Sequence, residues 1–128
     1  MLRGARSLKP CDFVGPARKE LSVMPDAVRV KVGHSLFLAQ RGEEAQDAKP
    51  LKGFGGRGVL EIIADHDGST YRAVYTVRFA GAIYVLHAFQ KKSKTGIATP
   101  KHTMDLIAAR LKDAEIIHRH RISRGEKS

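Results

Sequence analysis

Two stretches of alternating polar and apolar residues constrain the fold of this chain more than any other feature. They occupy residues 70–79 and 82–90, and the pair Ala80-Gly81 between them suits a tight turn. Alternation over this length is typical of a β-strand with two different faces, since successive side chains of a strand point to opposite sides. The sequence therefore predicts an antiparallel hairpin, preceded by a third strand over residues 59–64.

The expected register divides this hairpin into an apolar face and a mixed face. With a two-residue turn, Val77 is predicted opposite Tyr84, and Tyr75 opposite Leu86, all on the apolar face. The apolar face predicts a core that receives helices. The mixed face is expected to hold Arg57, Glu61, Arg72, Thr76, Arg78 and His87 together with the apolar Ile83, Val85 and Phe89, with Lys91 and Lys92 just beyond its rim.

Helical periodicity is found on both sides of the predicted strands. Apolar residues recur every three or four positions in 17–24, in 28–39 and again in 104–111. The element order is thus predicted as β-α-α-β-β-β-α, which is an α+β class. The length predicts one domain over residues 1–128, with loose basic tails at 1–8 and 117–128.

The charge of the chain limits its partners. Lys and Arg number 23 against 13 Asp and Glu, a formal net charge of +10. A domain this basic attracts polyanions, so nucleic acid, an anionic membrane surface and an acidic protein all remain open. The single cysteine, Cys11, excludes a disulfide within the chain and suits a reducing cytosol. With no long apolar run and no apolar stretch behind the basic N-terminus, we expect a cytoplasmic protein without membrane contact.

The mixed sheet face is a candidate surface for RNA. Phosphates need cations, and unstacked bases need apolar or aromatic surfaces. A solvated face is common in antiparallel sheets and is the alternative for any single arginine. The cluster of cations on a chain of this charge favours RNA binding.

The run KPLKGFGGRGVLEI, followed by TYRAVYTVRFAGAIYVLHAFQKKSKTGIATPK, resembles the phage-derived branch of the HigB-like toxins in the RelE/ParE superfamily. The resemblance extends from about Lys9 to Glu115. It implies a small twisted antiparallel sheet packed against N-terminal helices. It also implies a toxin of a toxin–antitoxin system, either a ribosome-dependent mRNA endoribonuclease that inhibits translation or a ParE-type inhibitor of DNA gyrase. The implied partners are the ribosome, mRNA and an antitoxin with a helix-turn-helix domain.

The candidate site residues lie in the segments that carry this resemblance. Lys52 and Arg57 lie in LKG-x-x-x-RG, Arg78 in VRF, and His87, Lys91 and Lys92 in LHAFQKK. RNA cleavage by its own 2′-hydroxyl needs a proton acceptor and cations but no metal. Histidine, with an unperturbed pKa of about 6.5, is the natural proton carrier. We therefore predict catalytic roles for His87, Arg78, Arg57 and Glu61, RNA binding by Lys52, Arg72, Lys91 and Lys92, and no cofactor or metal.

Each of these interpretations has an alternative. His87 could simply pack between strands, and Glu61 more often neutralises an arginine than acts as a base. The glycines between residues 53 and 58 are not followed by the Gly-Lys-Ser/Thr of a nucleotide-binding loop. His118 and His120 without further ligands are weak evidence for a metal. For the whole protein, a gyrase inhibitor and a nucleic-acid-binding protein of phage origin without activity remain open.

Overall fold

The computed structural model describes residues 7–56, 58–91 and 99–125. The elements along the chain are β1 Cys11–Phe13, α1 Ala17–Ser22, α2 Asp26–Gln40, β2 Ala48–Pro50, β3 Val59–His66, β4 Ser69–Thr76, β5 Ile83–Lys91 and α3 Lys101–Ser123. The α+β class is confirmed. Every predicted element is present, and the short strand β2 is an addition within a segment that the sequence predicted as loop.

The sheet has five strands in the order β1-β5-β4-β3-β2. The β2–β5 strands pair antiparallel, but β1 runs parallel to β5, with Cys11 beside Ile83 and Phe13 beside Val85. The predicted antiparallel arrangement thus holds for β2–β5, and the parallel strand β1 makes the sheet mixed. A long connection separates β1 from β5, and the hairpin rules that relate neighbouring strands do not apply to such a pair.

The predicted hairpin register is correct at one end and wrong at the other. Val74 pairs with His87 as the two-residue turn predicts, but Tyr75 pairs with Val85 instead of Leu86. The register shifts at this point, so β5 has one residue more than β4 between the two pairs. The side chains of β5 before the shift consequently lie on the faces opposite to those predicted.

Helices cover both faces of the sheet. On one face, α1 and α2 pack with residues such as Ile62, Tyr75 and Val85 in the larger core. On the other face, Tyr84 and Leu86 join a second core with one side of α3. The residues from α3 in this second core are Ile107, Leu111 and Ala114. The face predicted to be open to RNA is therefore partly closed, because the apolar stripe of α3 also requires a surface that excludes water.

The helix α3 continues well into the predicted C-terminal tail. His118 is buried, and its Nδ1 lies 2.8 Å from the Tyr84 hydroxyl. Arg121 forms an ion pair with Asp12. The tail prediction is wrong for residues 117–123, since His118 extends the buried stripe of α3 at helical spacing after Ala114. Within the described ranges, no helix has the length and apolar character needed to cross a membrane.

Gly58 should be among the glycines least tolerant of a side chain. Its φ is +73°, and an added Cβ would lie 3.1 Å from the backbone N and Cα of Arg78. Its carbonyl also accepts hydrogen bonds from Thr76 Oγ1 at 2.6 Å and from the Val77 amide at 2.9 Å. We expect Gly58→Ala to lower the free energy of unfolding, measured in urea, by about 1–3 kcal/mol.

Gly33→Ala is the matched control for Gly58→Ala. Gly33 lies within α2, and an added Cβ would meet no atom within 4 Å. Alanine is the better helix former, so this variant should raise the free energy of unfolding by about 0.5–1 kcal/mol. Equal effects of the two substitutions would contradict the assignment of strain at Gly58.

Candidate active site at the edge of strand β5

The candidate site lies along the outer edge of β5. The strand β1 pairs only with residues 83–85 of β5. Farther along β5, two side chains make hydrogen bonds to backbone groups that a neighbouring strand would otherwise pair. Glu20 Oε1, from α1, accepts a hydrogen bond from the Ala88 amide at 3.2 Å. Arg110 Nη1, from α3, donates to the Leu86 carbonyl at 2.9 Å. The edge of the sheet thus brings a carboxylate and a guanidinium together.

His87 completes this group, and Glu20, His87 and Arg110 are called the His87 cluster below. Nδ1 of His87 lies 2.8 Å from Glu20 Oε1 and 3.2 Å from Arg110 Nη1, and the latter two atoms are 2.9 Å apart. The imidazole stacks on the ring of Phe89 with a centroid separation of 4.9 Å. The side chains of His87 and Arg110 are each 13% exposed and that of Glu20 is 23% exposed. The cluster is therefore ordered but not sealed from water.

Glu20 is the anion of the cluster. Burial raises the pKa of Glu20, but hydrogen bonds from Arg110, His87 and the Ala88 amide outweigh this effect and leave the pKa below its ordinary value. The carboxylate is consequently ionised at neutral pH, where it balances the charge of Arg110.

Acid should weaken the fold through Glu20. The pKa of Glu20 is lower in the folded protein than its ordinary value of 4.5, so the unfolded chain takes up the proton first as the pH falls. The stabilisation is complete above pH 4.5 and is lost as the pH falls through the lowered pKa. In urea unfolding between about pH 5 and about pH 3, Glu20→Gln should lose less free energy of unfolding than the wild type. Glu115→Gln, an exposed control on α3, should follow the wild type, and identical slopes for all three proteins would contradict this role of Glu20.

Glu61 and Arg72 are bound to each other. Arg72 Nη1 lies 2.9 Å from Glu61 Oε1, and the two side chains are only 15% and 7% exposed. Among the residues that the structure describes, Glu61 Oε2 and Arg72 Nε are buried without a hydrogen bond. The ion pair and the low exposure of both side chains leave little of either for a phosphate to contact. Their arrangement agrees with the alternative in which Glu61 neutralises an arginine.

The other predicted cations are not gathered around His87. Lys52 and Arg78 are exposed, and Lys91 is partly buried at the end of β5. Arg78 lies four residues after Val74, the strand partner of His87, and two residues beyond the end of β4. Lys91 lies four residues beyond His87 in the opposite direction, roughly 13 Å along β5. Arg57 and Lys92 lie outside the described residues.

Glu20 and Arg110 were not among the site residues predicted from the sequence. The contacts that join them to His87 connect residues 67 and 23 positions apart, and 90 positions separate Glu20 from Arg110. No local pattern relates residues at such distances. The one available signal was the position of Arg110, three residues after Ile107, which places it beside the apolar stripe of α3.

A second polar group holds the C-terminal half of α3 to the sheet. The Tyr84 hydroxyl contacts His118 Nδ1 at 2.8 Å and accepts a hydrogen bond from Arg121 Nε at 3.2 Å. His120 is exposed while His118 is buried, so the two histidines face different surroundings. Across residues 7–56, 58–91 and 99–125, no three histidine, cysteine or acidic residues are grouped in a way that could hold a metal ion.

Comparison with protein families gives this arrangement a context. The family model described as phage-derived protein Gp49-like matches residues 19–112 of the 128 in the chain. The chain belongs to the Gp49-like family. The phage-derived origin expected from the sequence resemblance is thus confirmed, and Glu20, His87 and Arg110 of this Gp49-like chain all lie within the matched residues.

Among solved structures, the Gp49-like chain is similar to a chain in the crystal structure of the toxin–antitoxin complex RelBE2 from Mycobacterium tuberculosis. The two are 20% identical with a TM-score of 0.45, over 67% of this chain and 94% of that chain. Likeness at this level carries no argument about the fold or the activity of this chain. Comparison with curated protein sequences finds no match.

Proposed function

We propose that this Gp49-like protein is the toxin of a type II toxin–antitoxin system and that it inhibits translation by cleaving mRNA on the ribosome. The observation that carries the proposal is the His87 cluster, in which the Glu20 carboxylate anchors one ring nitrogen of a histidine and the Arg110 guanidinium anchors that carboxylate. Among the described residues, the other nitrogen, Nε2, makes no hydrogen bond, and it is not one of the buried side-chain atoms that lack a hydrogen bond. The side chain of His87 is 13% exposed, which gives a substrate access to the ring, as proton exchange requires.

The proposed reaction uses the RNA as its own nucleophile. His87 Nε2 takes the proton of a 2′-hydroxyl, and the 2′-oxygen forms a bond to phosphorus. The bond from phosphorus to the 5′-oxygen breaks, and the departing oxygen takes a proton from water. The products are a 2′,3′-cyclic phosphate and a 5′-hydroxyl. This route requires neither a metal nor an oxidant.

The cations along the hairpin fit a role in holding the RNA backbone on either side of the scissile phosphate. Arg78 and Lys91 lie on opposite sides of the pair Val74 and His87, each four residues along its own chain segment. With Lys52 they give the chain exposed or partly exposed cations that suit neighbouring phosphates. The net charge of +10 also favours the ribosome and an acidic antitoxin as partners. A translational target places the protein in the cytoplasm.

Cell-free translation with purified protein tests this function. The 5′ ends of the message are mapped by primer extension, with the same message free or engaged by ribosomes. New ends on translated message, and none on free message, support a ribosome-dependent nuclease. Intact message together with undisturbed translation overturns the proposal, and a gyrase supercoiling assay then tests the ParE-type alternative. RNA binding that weakens steeply with salt, without new ends, favours a non-enzymatic binding protein.

A further inference from the structure

The hydrogen atoms of Arg110 Nη1 are fully used within the His87 cluster. A guanidinium Nη atom carries two hydrogens and accepts none. Two acceptors surround Nη1, Glu20 Oε1 at 2.9 Å and the Leu86 carbonyl at 2.9 Å. His87 Nδ1 is a third neighbour at 3.2 Å, and no hydrogen of Nη1 remains for it. Nδ1 therefore cannot rely on Arg110 as a donor.

The contact with Glu20 determines where the ring proton lies. Nδ1 of His87 is 2.8 Å from Glu20 Oε1, a distance at which two lone pairs would repel each other. A carboxylate that is ionised accepts hydrogen bonds and donates none. Nδ1 must consequently carry a hydrogen and donate it to Glu20. In neutral imidazole the other nitrogen, Nε2, is then the one with the free lone pair.

We propose that Glu20 is a positioning residue that holds neutral His87 with its proton on Nδ1 and so leaves Nε2 free as the proton acceptor. Arg110 supports this role, because it neutralises Glu20 and ties it to the Leu86 carbonyl. The consequence for catalysis rests on the proposed nuclease function, whereas the position of the proton does not.

Among the described residues, no charged group other than Glu20 and Arg110 contacts Nδ1 of His87. Glu20 reaches His87 from α1 and Arg110 reaches it from α3. On β4 the partner of His87 is the apolar Val74, and on β3 the next residue across is Glu61, which is paired with Arg72. Among the described residues, the contacts at Nδ1 are thus those of Glu20 and Arg110.

The test is ¹⁵N NMR of protein labelled at histidine, because protonated and unprotonated ring nitrogens have well-separated chemical shifts. The chain has six histidines, and the signals that vanish in His87→Gln identify His87. In neutral His87 of the wild type, we expect Nδ1 protonated and Nε2 unprotonated. A proton on Nε2 in the wild type would overturn the proposal without reference to any activity.

Two substitutions of Glu20 separate its charge from its hydrogen bonds. In Glu20→Ala, one hydrogen of Arg110 Nη1 becomes available to Nδ1, so the ring proton should move to Nε2. In Glu20→Gln, the side-chain carbonyl can still accept from Nδ1 and from the Ala88 amide, so the proton should stay on Nδ1. An unchanged spectrum in a folded Glu20→Ala protein would count against the proposal.

The catalytic consequence is measured separately. If the protein cleaves RNA, Glu20→Ala should lower kcat about 100-fold with KM nearly unchanged, since an incorrectly placed proton affects the transition state and not binding. Absence of cleavage by the wild type, with Nδ1 protonated, refutes the nuclease function but leaves the positioning intact. Cleavage by a wild type that holds the proton on Nε2 refutes the positioning alone.

Discussion

Replacing His87 by asparagine should lower the rate of RNA cleavage about 100- to 10,000-fold, the range that a positioned proton acceptor contributes. The asparagine amide can still donate a hydrogen bond towards Glu20, but it cannot accept a proton at neutral pH. The loss should therefore appear in catalysis while the fold is retained. The rate is measured from primer-extension time courses during cell-free translation, with thermal unfolding as the check of folding.

His34→Asn is the matched control, because His34 is exposed on α2 and takes no part in the His87 cluster. Its cleavage rate should equal that of the wild type. A folded His87→Asn protein that cleaves within a few-fold of the wild type would remove His87 from the chemistry. The outcome distinguishes the proton carrier from the alternative in which His87 is a packing residue.

The largest effect on stability is expected at the buried ion pair of Glu61 and Arg72. Arg72→Met should lower the free energy of unfolding by about 3–5 kcal/mol, since it leaves the carboxylate of Glu61 buried without its counter-charge. Glu61→Leu should cost a similar amount by leaving a buried guanidinium. Both free energies are obtained from urea unfolding monitored by circular dichroism.

The double variant Arg72→Met with Glu61→Leu should be far less destabilised than the sum of the two single variants. Glu61 and Arg72 each have one buried polar atom without a hydrogen bond. Replacing both side chains by apolar ones therefore removes the desolvation cost of these atoms together with the ion pair. The control is Arg119→Met, which breaks an exposed pair with Glu115 and should change stability by no more than about 0.5 kcal/mol. Additive effects of the two buried substitutions would show that the pair is not coupled in the folded protein.

Features that depend on neighbouring residues could be predicted from the amino-acid sequence. Alternation along the strands correctly assigned Tyr75 to one face and Glu61 and Arg72 to the other. The three-to-four spacing of apolar residues correctly located α2 and the first half of α3. The segment around LHAFQKK resembled a phage-derived family, and the match over residues 19–112 confirmed that family. Strand and helix periodicity is local, so these properties could be predicted without a structure.

Which surfaces meet depends on how the elements pack, and this became visible in the tertiary structure. One additional residue in β5 reversed the faces of Tyr84 and Val85, because strand alternation has a period of two and a single insertion exchanges the two sides. The packing of α3 closed part of the face predicted to bind RNA. On the same sheet face, Arg72 is paired with the buried Glu61. The His87 cluster formed for the same reason: contacts between residues dozens of positions apart depend on how elements pack, and a single sequence holds no periodic signal for such contacts.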